Sequence, residues 1–135
     1  MQRRQVRETM DRLNKAGFQR LARKAGVRRM SGLMYDEFRE YLRNFLVNQQ
    51  GIVESKGKHP LQFSRTRFAR VIRDTTQKPF TDSEVEVIQR NCEDHLIQLM
   101  HAAYQETQKA KRICMFPKDF LKVLNDRKLG KYADE

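Results

Sequence analysis

Tryptophan is absent from this 135-residue chain, and proline (3), cysteine (2) and glycine (6) are scarce. So few chain breakers exclude a turn-rich β architecture and suit an all-helical protein with few long loops. Two cysteines, Cys92 and Cys114, are too few for a disulfide framework. They show no metal-ligand spacing with His59, His95 or His101, so neither a metal nor a cofactor is expected. No apolar run approaches the roughly 18 residues of a membrane span. The opening stretch MQRRQVRETMDR lacks the apolar core of a signal peptide. An intracellular, reduced protein without a membrane partner is the expectation. No nucleophile–base pair, phosphate-cradling glycine loop or paired-carboxylate motif appears, so no enzymatic function is expected.

What the chain has in excess is positive charge. The net charge is +11 and the isoelectric point about 10.1, which points to a polyanionic partner, nucleic acid ahead of an anionic membrane. The charge comes in blocks. Residues 1–31 hold ten Lys/Arg and two acids, residues 57–78 six and one, and residues 109–135 eight and four. The intervening blocks are acidic: residues 32–56 hold three Lys/Arg and four acids, and residues 79–108 one and six. Apolar residues make up 39% and charged residues 33%, enough for one modest core.

Helical periodicity organises the apolar residues. A first helix is expected from about Thr9 to Lys24, along Met10, Leu13, Gly17 and Leu21, ending at Ala25-Gly26. Gly17 interrupts that stripe and leaves open a later start at Phe18. VRRMSG, residues 27–32, reads as a short extended loop. A second helix follows from about Leu33 to at least Asn48, with Met34, Phe38, Leu42 and Phe45 as its stripe. Gly57 and Pro60 mark a connector over 55–63. A third, short helix spans Ser64–Thr76, with Ser64 as N-cap. A long fourth helix runs from about Asp82 to Thr107, capped by Thr81 or Asp82, with Val85, Ile88, Cys92, Leu96, Leu99 and Ala103 on a narrow stripe. Cys92 is thereby expected in the core. Pro117 suits the first turn of a last helix ending near Asn125. A long helix with one narrow stripe needs another to cross it.

These segments resemble a known family. Residues 68–130, with AKRICMFPKD as the most specific part, resemble the fold of core histone three, and residues 17–48, with GVRRMSGLMYDE, resemble core histone four. The resemblance implies an all-α histone fold of five main helices, the two long ones crossing as a handshake-type pseudo-dimer. Residues 1–56 would form a partial histone-four-like fold, 57–63 a connector, and 64–135 a histone-three-like fold. Such a fused doublet, as in histones of large DNA viruses, would normally need six helices. An alternative stays open: VIRDTT also resembles histone four's long helix, which would make the chain a single histone four with an insertion around residues 49–68.

A DNA-packaging role follows from the resemblance, with contacts to the backbone and not to base sequence. Core histones are themselves the standard example of arginines entering the minor groove without base-specific contacts. Arg29 falls at histone four's groove-entering arginine, with Arg28 beside it; Arg20 and Arg23 share a face of the first helix. Gln19 stands where that family carries another arginine. Arg67 and Arg70 match phosphate-contacting arginines of histone three only if the loop after them is two residues shorter. Pro79 replaces that loop's own arginine, with Lys78 next to it. Lys111, Arg112 and Lys118 complete the implied DNA-binding set, and Arg112 with Asp119 would form a structural clamp. The implied partners are double-stranded DNA, core histones of the two A and two B types, and a second copy through the C-terminal half. The implied location is chromatin in the nucleus, or a virion and viral replication compartment. An interaction subunit of a transcription or chromatin complex is the competing function.

Overall fold

The computed structural model describes residues 9–48 and 60–127. Residues 1–8, the connector's first part (residues 49–59, with His59) and the terminal cations Lys128 and Lys131 lie outside the described residues. The elements in order are α1 (Lys15–Lys24), β1 (Arg29–Met30), α2 (Met34–Asn48), α3 (Arg65–Thr76), α4 (Asp82–Lys109), β2 (Cys114–Met115) and α5 (Pro117–Asp126). The architecture is all-α as expected, with five helices from α1 to α5 and one two-residue strand pair among the described residues. No helix among these residues is long and apolar enough to cross a membrane.

The helix predicted from Thr9 is interrupted: Thr9 and Met10 are helical, residues 11–14 are not, and α1 starts at Lys15. Asn14 caps α1, its side chain accepting a hydrogen bond from the Gly17 N–H, while the buried Met10 ends the preceding helical turn and the buried Leu13 lies in the break between. Their spacing continues the stripe without continuing the helix. A cap interrupts the backbone but leaves the apolar rhythm intact. Gly17 is required by contact: a Cβ there would run into the buried ring of Phe63.

The caps of the later helices are set by local chemistry. Ser64 accepts from the Arg67 N–H, and Thr81 and Glu84 form a reciprocal capping box at the start of α4. Two helices end in the same way. After α1, Gly26 at φ +84° lets Val27 N–H reach the Ala22 carbonyl and Gly26 N–H reach that of Arg23. After α4, Lys111 at φ +58° lets Arg112 N–H reach the Thr107 carbonyl and Lys111 N–H reach that of Gln108. Both are Schellman endings, and each turns the chain sharply into one of the two short strands.

The whole predicted stripe of α4, from Val85 to Ala103, is buried, Cys92 completely. Around it runs a chain of aromatic rings. Phe18 of α1 meets Phe38 of α2 at 5.5 Å and Phe63 at 5.0 Å; Phe38 meets Phe120 of α5 edge-on at 5.1 Å; Phe63 meets Phe68 of α3 at 5.9 Å. Each such buried side chain contributes about 1.5–3 kcal/mol of transfer free energy. The core is therefore shared between the first two helices and the last three.

Candidate nucleic-acid interface

Arg28 and Arg29 leave α1's Schellman turn in extended conformation, and β1 runs parallel to β2 with Arg29 opposite Cys114 and Met30 opposite Met115. The pairing continues one residue further, where Ser31 N–H donates to the Met115 carbonyl at 2.9 Å. Ser31 then starts α2: its carbonyl accepts from Met34 N–H, and its hydroxyl accepts from Leu33 N–H. Arg28, Arg29, Lys111 and Lys118 are all exposed along this pair. The edge also exposes apolar side chains: Leu33 (69%), Ile113 (67%) and Phe116 (38%).

The β2 side is held by Asp119, which is 4% exposed in the first turn of α5. Its carboxylate accepts from Arg112 Nη2 at 2.7 Å and Nη1 at 3.0 Å, from the Thr107 hydroxyl at 2.8 Å and from the Phe116 N–H at 3.0 Å. Arg112 Nη1 also donates to the Cys114 carbonyl at 3.3 Å, and its guanidinium lies 5.4 Å from the Phe116 ring centre. Burial alone would raise the carboxyl pKa. The hydrogen bonds from Arg112, Phe116 and Thr107 outweigh it and hold the pKa at about 2. Arg112 is thus tied to three groups of its own loop, whereas Lys111 and Lys118 stand exposed. Pro117 sits at the first helical position, where the missing N–H costs little.

A second group of cations lies elsewhere. Arg20 and Arg23 are exposed on α1, and Arg20 Nη2 donates to the Gln62 carbonyl at 2.7 Å, just ahead of α3. Arg67 and Arg70 are exposed on α3. Arg73 reaches Asp82 at 3.9 Å and Arg65 reaches Glu86 at 3.3 Å. Gln19 donates to the Tyr35 hydroxyl, so the residue at this arginine position ties α1 to α2. The structure therefore brings Arg28, Arg29, Lys111, Arg112 and Lys118 together along one strand pair and places Arg20 beside the approach to α3.

Two residues that position this second group escape sequence inspection. Glu93, 1% exposed on α4, accepts from the N–H groups of Gln62 and Phe63 at 2.7 and 3.3 Å. Gln89, one turn earlier, donates to the Phe63 carbonyl and to Glu93, both at 2.9 Å. Their only sequence signal is that they flank the apolar stripe four residues apart. Together they hold the chain leading into α3. Among the described residues no three His, Cys, Asp or Glu side chains gather as a metal site.

Residues 46–125 match the model of the core histone domain shared by the two A, two B, three and four types. The chain belongs to the core histone family. Among curated proteins, histone H4-1 of Blepharisma japonicum is 49% identical over 47 residues, which are 34% of this histone and 48% of that protein. The chain thus spans about half the length of that relative. No solved structure gives a significant match. The family match takes in the end of α2, all of α3 and α4, β2 and most of α5, so it contains the β2 half of the strand pair.

Proposed function

We infer that this histone packages double-stranded DNA by neutralising its phosphate backbone, as a structural and not an enzymatic protein. One observation carries the inference. Two loops far apart in sequence pair as parallel strands within a single chain, and that pairing brings the exposed Arg28 and Arg29 of one loop near the exposed Lys111 and Lys118 that flank the other strand. Exposed cations gathered around a paired backbone suit a polyanion and read no base sequence. In this proposal Arg29 enters the minor groove and Arg28, Lys111 and Lys118 meet phosphates. Arg20 and Arg23, with Arg67 and Arg70, give a second contact, while Arg112 serves chiefly as the clamp on Asp119. The chromatin of the nucleus is the proposed location.

Arg29→Ala is expected to weaken binding to every duplex by roughly tenfold, the scale of one charge-assisted contact. The log–log salt slope should become shallower by about 0.9. Fluorescence anisotropy with several unrelated duplexes across a salt series checks both. A loss confined to one sequence would count against backbone recognition.

The proposed domain plan follows the same pairing. Residues 1–56 complete the fold of residues 64–135 in cis, across the connector at 57–63, in place of a separate partner histone. Arg29 and Cys114 are direct partners in the strand register. Neighbouring parallel strands lie about 4.7–4.9 Å apart, within the Cα range of a disulfide. Arg29→Cys should therefore form an intrachain bond to Cys114 under mild oxidation, seen by mass spectrometry at low protein concentration. Cross-linked dimers alone would favour a fold completed by a second chain. Histones of the two A and two B types remain the proposed partners. Self-association would use the end of α4 and α5, where Glu106 accepts from Lys109 and Lys122 at 3.3 and 3.0 Å.

A further inference from the structure

We propose that the contact between α2 and α4 is acid-sensitive, with the imidazole of His95 as its switch. His95 projects from α4 onto two rings of α2. It stacks on Tyr41 with centroids 5.8 Å apart and planes 10° apart, and on Phe45 at 5.2 Å and 26°. Tyr41 and Phe45 lie one turn apart, so the imidazole spans the step between them. Tyr41 also meets Phe120 of α5 edge-on at 5.9 Å, so the same ring ties α2 to both helices of the C-terminal half.

His95 Nε2 is buried and has no hydrogen-bond partner among the described residues. In the tautomer with its proton on Nδ1, the neutral imidazole leaves only an unused acceptor there. Protonation would put an N–H and a positive charge in the same place, with no acceptor to meet them. Among the described residues, the charge that acts on the ring is positive. Arg127, at the end of α5, adds positive charge; Tyr41 on α2 and Cys92 one turn earlier on α4 are both held neutral by burial. Burial first, and Arg127 second, push the His95 pKa below its usual value. The sign follows: the contact is intact above the ordinary imidazole pKa and weakens as pH falls through that range toward the lower folded value.

His101 makes a contrasting contact. Its Nδ1 has a partner, the Ala25 carbonyl just past the end of α1, at 3.1 Å. The acids near the strand pair do not confuse the range, because Asp119 and Glu106 titrate below the ordinary carboxylate values. The inference concerns packing between the two halves and holds whether or not the strand edge binds DNA.

The test is hydrogen exchange on the full chain at pH 7.5 and pH 5.5, corrected for intrinsic exchange rates. Amides of α2 should lose protection at the lower pH, by up to about tenfold per pH unit below the ordinary imidazole value. Amides of α4 and α5 should keep theirs. His95→Phe should hold α2 equally protected at both values, and Arg127→Gln should shrink the response should the phenylalanine variant not fold. Three results overturn the proposal: an equal response in His95→Phe or, if that variant does not fold, in Arg127→Gln; a uniform loss over all helices; or a gain of α2 protection at pH 5.5, as a histidinium held by the two rings would give.

Discussion

Asp119→Ala should lower the folding stability of this histone by about 2–3 kcal/mol, the scale of leaving buried donors without their acceptor when the arginine partner is still partly solvated. The side chain is nearly fully buried and accepts four hydrogen bonds from three residues. Its loss leaves the Arg112 guanidinium, the Thr107 hydroxyl and the Phe116 N–H without their acceptor. Thr107 keeps the Ala103 carbonyl and Arg112 keeps the Cys114 carbonyl, but the Phe116 N–H loses the one partner seen among the described residues. Arg112→Ala should cost less, because the carboxylate would retain Thr107 and Phe116. Urea denaturation of the two variants checks the order. Equal and small effects, below about 1 kcal/mol, would mean the clamp does not hold the loop.

The same carboxyl sets an acid limit. Its folded pKa of about 2 lies below the ordinary 3.8. A depressed carboxyl pKa stabilises the fold fully above the ordinary value and loses that contribution as pH falls toward the folded one. Stability should therefore drop between about pH 4 and pH 2, and Asp119→Asn should flatten that part of the profile.

Phe38→Ala carries the second large expectation, a loss of about 3–5 kcal/mol. Phe38 is fully buried at the middle of the aromatic chain, between Phe18 of α1 and Phe120 of α5. Truncation opens a cavity where the two halves meet, against a total stability of typically about 5–15 kcal/mol. Hydrogen exchange in α1 and α2 should accelerate more than in α4, since the fault lies on the attachment of the first two helices. Phe38→Leu should retain most of the stability, because it fills most of the volume. A truncation cost near that of an exposed residue would show that the first two helices do not rely on this contact.

Much of this fold is legible from residue spacing. The stripes of α2 and α4, the caps at Ser64 and Thr81, the stop at Gly26 and the start at Pro117 all follow from local rules that act within one or two turns. Features that depend on contact are not. Asn14 restarts the chain where the apolar rhythm runs on. Lys111 takes a left-handed conformation that glycine usually supplies, so no glycine marks the end of α4. Gln89 and Glu93 look like solvated polar residues beside a stripe, yet both are buried against the backbone at Gln62 and Phe63. His95 looks like an ordinary helix residue until Tyr41 and Phe45 are brought over it.

The candidate interface divides in the same manner. Its cations, its proline and its alternating charge blocks are properties of the chain alone, because net charge and helix starts need no partner segment. A two-residue strand has no periodicity to read. Its partner is chosen only when the aromatic core brings the first two helices onto α4 and α5, which sets Arg29 beside Cys114. By itself the sequence determined helices, caps and a strongly basic surface. The tertiary structure decided which loops meet, which arginine is tied down at Asp119, and which exposed cations are brought near one another, because those outcomes depend on packing between distant segments.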